Sequence, residues 1–230
     1  MSVTCQIAIV RLQTSSLSSL VELAMQKTRA LFVAGDPALD FLNSVATPVD
    51  VPVEWLDDGE GLLSWLGQAQ LVSAAVLEQV RSESSLGELN KVAEQSRNLR
   101  EWFRGFLEKH RGRPLARGDF KKLERLNRLL ERDQSFSQIA PTTSKQGNSF
   151  ELRAVRKWRS AEALLMPIAE ALARFVCSED FTYVKACEGP LCTLLFKDRT
   201  RGRARRWCTM AICGNRAKQA AHRERLKANR

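Results

Sequence analysis

The stretch that decides the fold is VKACEGPLCTLLFKDRTRGRARRWCTMAICGNRAKQAAHRER, Val184–Arg225. It holds four of the chain's six cysteines, spaced Cys187-x4-Cys192-x15-Cys208-x4-Cys213. Two close pairs on either side of a longer gap are the arrangement of a closed tetrathiolate metal site. Each short gap lets a pair bend round one ion, and the long gap has room for a hairpin that brings the pairs together. Gly189-Pro190 supplies the turn in the first pair. Thr193–Asp198 and Arg205–Thr209 are predicted as strands, with Gly202 in their connection. Gly214 is expected to let the backbone approach the ion, and Asn215 to cap a helix starting at Arg216 or Ala217.

Knuckle, hairpin, last cysteine and helix, in that order, predict a small α+β, treble-clef-like finger over residues 181–230. The expected ligands are Cys187, Cys192, Cys208 and Cys213, holding one structural zinc per chain. An iron–sulfur cluster is the rival metal reading. Four thiolates leave no open coordination position, so the site is read as structural and not catalytic.

Charge points the same way. The net charge is +10, and Lys185–Arg230 carries all of it, with 13 Lys/Arg against 3 Asp/Glu. The 184 residues before it are balanced, so the excess is a local feature that attracts a polyanion. The candidate contacts are Arg199, Arg201, Arg203, Arg205 and Arg206 before the third cysteine. Asn215, Arg216, Lys218, Arg223 and Lys227 follow the fourth. At helical spacing Arg216, Arg223, Lys227 and Arg230 share a face, and Ala217, Ala221, Glu224 and Ala228 are expected to rest on the finger. The finger has no series of exposed aromatics for stacking single-stranded bases, which favours duplex DNA. RNA and an acidic protein are the alternative partners, and a second copy of the chain and a small-molecule effector are further ones.

Apolar residues make up 44% of the 230, enough for a real core upstream. Residues 1–30 read as an extension and 31–180 as an α-rich domain with one small β-hairpin. Asp36-Pro37 opens a helix through Leu39 and Leu42. Two short helices follow, over Leu62–Leu66 and Leu71–Val80. The longest is predicted over Gly87–Arg111, with Leu89, Val92, Leu99, Phe103 and Phe106 on its apolar stripe. Asp119 is expected to cap the next helix, Phe120–Glu131. Phe136–Ala140 and Phe150–Trp158 read as paired strands, and Ala161–Val176 as an apolar helix kinked at Pro167.

No enzyme signature stands out, and the chain reads as a non-enzyme. Gly59-Glu60-Gly61 lacks the third glycine of a dinucleotide fingerprint, and there is no GxSxG, HExxH or P-loop. His110 and His222 are expected to be exposed, and Cys177 to be a buried small hydrophobe. Asp40 and Asn43, three apart on one helix face, are candidates for a ligand pocket, against the plainer reading that they tie neighbouring backbone together. There is no apolar run of bilayer length and no secretory pattern at the start, so a cytoplasmic protein with no membrane partner is expected.

These residues resemble a known family. Val184–Arg225 is similar to the CGNR zinc finger, named for a string that stands here as Cys213-Gly214-Asn215-Arg216. The resemblance includes Phe196-x-Asp198, Arg205-Arg206-Trp207-Cys208 and Lys218. Upstream, Phe32–Phe136 resembles the ABATE domain that precedes such fingers. Leu39-Asp40-Phe41-Leu42-Asn43-Ser44 matches its LDFxNT signature, with Ser44 in place of Thr, and Trp65-Leu66 matches its later WL. The resemblance implies a bacterial, stress-induced transcriptional regulator with zinc and DNA as its partners.

Overall fold

The computed structural model describes residues 29–47, 52–142 and 149–228. The extension over residues 1–28, the loop at Lys145–Asn148 and Arg230 lie outside the described residues. The chain folds around one long helix. Helix α4 (Leu86–His110) starts at a capping box: Ser85 accepts from the Glu88 backbone N–H, and the Glu88 carboxylate accepts from that of Ser85. Its apolar stripe, Leu89 through Phe106, is buried. Gly112, at φ +85, turns the chain away in a left-handed conformation.

Around this spine pack α1 (Pro37–Leu42), α2 (Gly59–Gln68) and the 3-10 turn Ala161–Leu164 that leads into α6 (Leu165–Ser178). Helix α3 (Ala74–Glu83) lies against α2, and α5 (Glu124–Leu130) against α6. Asp36 and Pro37 open α1 as expected, the Asp36 carboxylate accepting from the Ala38 N–H at 2.9 Å. Asp58 caps α2 in the same way, from Gly61 N–H at 2.7 Å. Gly59 has a packing reason: a Cβ there would lie 2.4 Å from Leu89 Cβ, so only glycine lets α2 sit this close to α4. Aromatic rings tie the far end together. Phe103 meets Phe175 at 6.3 Å, Phe175 meets Phe181 at 5.1 Å, and Phe181 meets Phe106 at 6.1 Å.

Three antiparallel pairs complete the described residues: β1 (Val45–Ala46) with β2 (Val53–Glu54), β3 (Ser135–Pro141) with β4 (Phe150–Arg156), and β5 (Val184–Ala186) with β6 (Leu195–Lys197). The mainly α character with small hairpins agrees with the expectation. No helix among the described residues is long and apolar enough to cross a membrane.

Several local expectations change. Pro167 does not kink a long helix: 3-10 geometry ends at Leu164, which puts Pro167 in the first turn of α6, where its missing N–H has no partner to lose. Asp119 is not an N-cap. It sits inside a 3-10 turn, Arg117–Leu123, and its carboxylate reaches back to the Ala116 N–H at 3.0 Å and across to the Lys122 Nζ at 2.8 Å. His110 is buried, not exposed, with Nδ1 against the Phe106 carbonyl and Nε2 3.0 Å from the Asp119 carboxylate. Cys177 is exposed, because α6 turns the side opposite its apolar stripe to solvent there.

Candidate metal centre and basic surface

The finger begins where α6 ends. A 3-10 turn, Phe181–Tyr183, anchors on the aromatic cluster through Phe181 and leads directly into β5. Strand β5 pairs with β6, Lys185 opposite Phe196. Cys187 and Cys192 therefore lie in the connection of this hairpin. The sequence predicts Arg205–Thr209 as the partner of the 193–198 strand, but that segment is irregular and meets the knuckle instead, with Glu188 N–H donating to Arg206 O at 2.9 Å. The segment before the first cysteine takes the place because it is already delivered alongside by α6.

The four cysteine sulfurs all lie within 4.8 Å of one another, three of the cysteines buried and Cys192 partly so. Tetrahedral zinc with bonds of about 2.3 Å needs sulfurs about 3.8 Å apart, and Cys192 Sγ and Cys208 Sγ are 4.0 Å apart. The backbone N–H groups of Gly189 and Cys208 point at Cys187 Sγ, at 3.4 and 3.2 Å, which is how a protein disperses thiolate charge. Protons alone serve such a cluster poorly. The Cys208 thiol's hydrogen bond pulls Cys192 down and leaves Cys208 itself raised, while burial pushes Cys213 up. One divalent cation replaces these protons and lets all four sulfurs carry charge. The donor set and spacing make this a structural zinc site.

The glycine that guards the metal is Gly189, not Gly214. A Cβ on Gly189 would stand 2.7 Å from Cys213 Sγ, whereas one on Gly214 would meet only the Met210 side chain. The helix also starts earlier than expected. Thr209 is its cap, accepting from the Ile212 N–H at 3.0 Å, and a wide turn, Met210–Gly214, runs straight into α7 (Asn215–Ala228). Cys213 is thus inside the helical path, and Asn215 is an exposed residue that does not cap the start of the helix; its backbone N–H instead closes the wide turn on Met210 O.

The predicted basic residues divide into two groups. Arg205 turns inward: Nε donates to Trp207 O at 3.0 Å, Nη2 to Cys208 O and to Val33 O at 3.2 Å, and the guanidinium lies 4.1 Å from the Phe196 ring centre. Arg203 lies over Tyr183 at 3.8 Å and donates to Asp198 O. Arg206 makes an exposed ion pair with Glu188, and Arg199 reaches Glu179, whose side chain is largely buried. Asp198, fully buried, organises this loop. It accepts from Lys185 Nζ at 2.8 Å, Thr200 Oγ1 at 2.6 Å and the Arg205 N–H at 3.0 Å. Burial opposes its ionisation, but these donors hold the carboxyl well below the usual carboxylate range. Its sequence signal was a lone acid inside a basic run.

In contrast, α7 has no buried residue. Lys218, Arg223 and Lys227 are exposed, and Arg216 and Arg223 border a groove beside Pro190 and Leu191. The alanine face does not rest on the finger: Ala221 and Ala228 are exposed, and only Ala217 and Ala220 are partly covered near the knuckle.

Asp40 and Asn43 are both engaged. The Asn43 carboxamide accepts from the Leu195 N–H at 2.9 Å and donates to the Leu195 carbonyl at 2.8 Å, pairing with β6 as a strand would. Asp40 accepts from the Ala34 N–H at 3.0 Å, and Ala34 O in turn accepts from the Lys197 N–H at 3.2 Å. Burial raises Asp40 to about 6, against the lowering effect of its backbone donors. Ser44 accepts from the buried Arg100 at 2.9 Å, which also pairs with Glu54. Every polar residue of the LDFLNS stretch thus holds backbone or a buried charge, and two of them hold the finger's seat.

A family model described as "Putative stress-induced transcription regulator", ABATE, matches residues 35–179. The chain belongs to the ABATE family. A second model, the CGNR zinc finger, matches residues 183–226 and takes in all four cysteines. Neither is an enzyme family. The ABATE match runs through β3, β4 and α6, beyond the Phe32–Phe136 resemblance read from the sequence. Among curated proteins none matches the chain.

Proposed function

We propose that this ABATE protein is a zinc-dependent transcriptional regulator, acting in the stress response of a bacterial cytoplasm, whose finger binds duplex DNA through α7. The observation that carries the reading is that α7 is anchored at one end by Cys213 and has no buried side chain along its length. A helix with five Lys/Arg and one Glu, of which only Arg216, Ala217 and Ala220 are partly covered, gains little stability from folding onto its own protein. It is suited to a polyanion.

In this reading Arg201, Asn215, Arg216, Lys218, Arg223 and Lys227 face the DNA. Arg206 can exchange its exposed ion pair with Glu188 for a phosphate, since such pairs are worth little in water, and the exposed Arg199 guanidinium can turn to one as well. Arg203 and Arg205 support the loop behind them. The helical domain is the sensing or assembly part, and its link to the finger runs through Asn43 and Ala34.

The test is titration of fluorescent duplex DNA with zinc-loaded full-length protein at several salt concentrations. Replacing Lys218, Arg223 or Lys227 by Ala should weaken binding and lower the salt slope by about one for each phosphate no longer neutralised. Absence of binding at low salt would refute the reading. Preference for structured RNA over duplex in competition would reassign the finger to RNA. Selection from random duplexes then identifies the bound sequence.

A further inference from the structure

The β3–β4 hairpin has an apolar face with nothing over it among the described residues. Its register places Ile139 opposite Leu152, Pro141 opposite Phe150 and Ser137 opposite Ala154 on one side. The other side carries Gln138 opposite Arg153, Ala140 opposite Glu151 and Phe136 opposite Val155. This alternation is the pattern of an antiparallel sheet with one face packed. Yet Ile139, Leu152 and Phe150 are 72%, 73% and 66% exposed. A two-stranded hairpin is marginal alone in water, and large apolar side chains gathered on one exposed face mark a contact surface.

The charges say what covers it. Strand β3 has no charged residue. On β4, Glu151 pairs with Arg153, and Arg156 pairs with Asp133 and Glu170. The face itself, Ser137, Ile139, Pro141, Phe150, Leu152 and Ala154, carries no charged residue, and the charged side chains of the two strands are ion-paired, so it offers nothing to a nucleic acid or to a charged peptide. It does offer an identical uncharged apolar face to itself. Two copies that meet on this face bring no like charges into contact, because none of its six residues is charged.

We propose that the Ile139–Leu152–Phe150 face packs against the same face of a second copy, in an isologous contact that makes the protein a dimer. This does not depend on the DNA reading.

The experiment is sedimentation equilibrium of zinc-loaded full-length protein over a wide concentration range. A dimer is expected. Ile139→Lys with Leu152→Lys should raise the dissociation constant roughly 100-fold or more. Gln138→Lys, on the opposite face, should leave it unchanged. Zinc content and circular dichroism check that each variant is folded. If the double variant does not fold, Leu152→Thr, which keeps strand propensity, should still weaken the dimer at least about tenfold. A monomer at every concentration would overturn the proposal. So would a folded face variant that dimerises like the parent, or equal loss in Gln138→Lys. A full chain that is monomeric but dimerises when residues 1–28 are removed would also overturn it, placing that segment on the face instead.

Discussion

Two basic stretches of the finger look alike in sequence and behave differently in space. Residues 197–206 and 216–227 are each dense in Lys and Arg. In the first, Arg203 and Arg205 are folded against carbonyls and aromatic rings, around a buried Asp198. In the second, the side chains leave a helix with no buried residue. A cation near unpaired carbonyl oxygens becomes part of the structure, and one on an isolated helix stays available. Counting charges cannot separate the two cases, because what differs is the supply of acceptors. Helix α7 satisfies its own carbonyls, while the irregular loop leaves carbonyls such as Trp207 O and Cys208 O for Arg205.

The sharpest test removes the ion on which both stretches are anchored. Cys208→Ser should abolish stoichiometric zinc and unfold the finger, measured by metal analysis and by protease cleavage confined to residues after 180. Gly189→Ala should do nearly the same, because its Cβ would press on Cys213 Sγ. Retention of zinc by that variant would mean that the knuckle yields where its tight backbone approach says it cannot. Next comes the inner arginine. Arg205→Ala should cost about 2–4 kcal/mol in denaturant unfolding, from carbonyls left unpaired and a ring face left uncovered. Arg205→Lys should restore little of it, since an ammonium can neither span several carbonyls nor stack as a plane. If Arg205→Ala costs under about 0.5 kcal/mol, the contrast between the two stretches fails.

Much of this was legible in the sequence, for identifiable reasons. The metal site was, because four thiolates at that spacing admit few other uses. Long helices such as α4 were, because their apolar period persists over many turns. The strand partner of Leu195–Lys197 was not, since pairing was decided by where α6 delivers Val184, which is a tertiary fact. Buried His110 was missed because its cover, the Arg117–Leu123 turn, shows no periodicity. Asp40 and Asn43 appeared as a polar pair on an apolar helix, but the Leu195 backbone that Asn43 pairs with lies 152 residues away, and Asp40 acts through Ala34, whose contact with Lys197 is similarly distant. The inward role of Arg205 had one available signal, the interleaved Phe196 and Asp198 that hold it, and that signal can be read only once β6 is placed.

Asp40 gives a smaller and pH-dependent effect on the same seam. Its carboxyl is raised from 3.8 to about 6 by burial, so the folded protein favours the protonated form. The stability contributed by that proton is complete below about 4 and lost as pH rises through about 6. Asp40→Asn keeps an acceptor for the Ala34 N–H and removes the buried charge. It should therefore flatten the stability profile between about 4 and 6 and raise stability at neutral pH by up to about 3 kcal/mol. An unfolding series across that range that shows the same slope in both proteins would mean that Asp40 is not the group being titrated.

The smallest expected change is also the one that most directly separates the two basic stretches. Lys218→Ala and Arg223→Ala remove exposed cations from a helix with no buried face, and alanine is the better helix former. Their unfolding free energies should stay within about 0.5 kcal/mol of the parent, with zinc content unchanged. A loss of about 2 kcal/mol or more in either would mean that α7 folds back on the finger in solution, through interactions of the kind that hold Arg205. The helix would then belong with the loop, and its cations would be structural too. Near-zero effects on stability, beside a large one for Arg205→Ala, are what the separation of the two stretches requires.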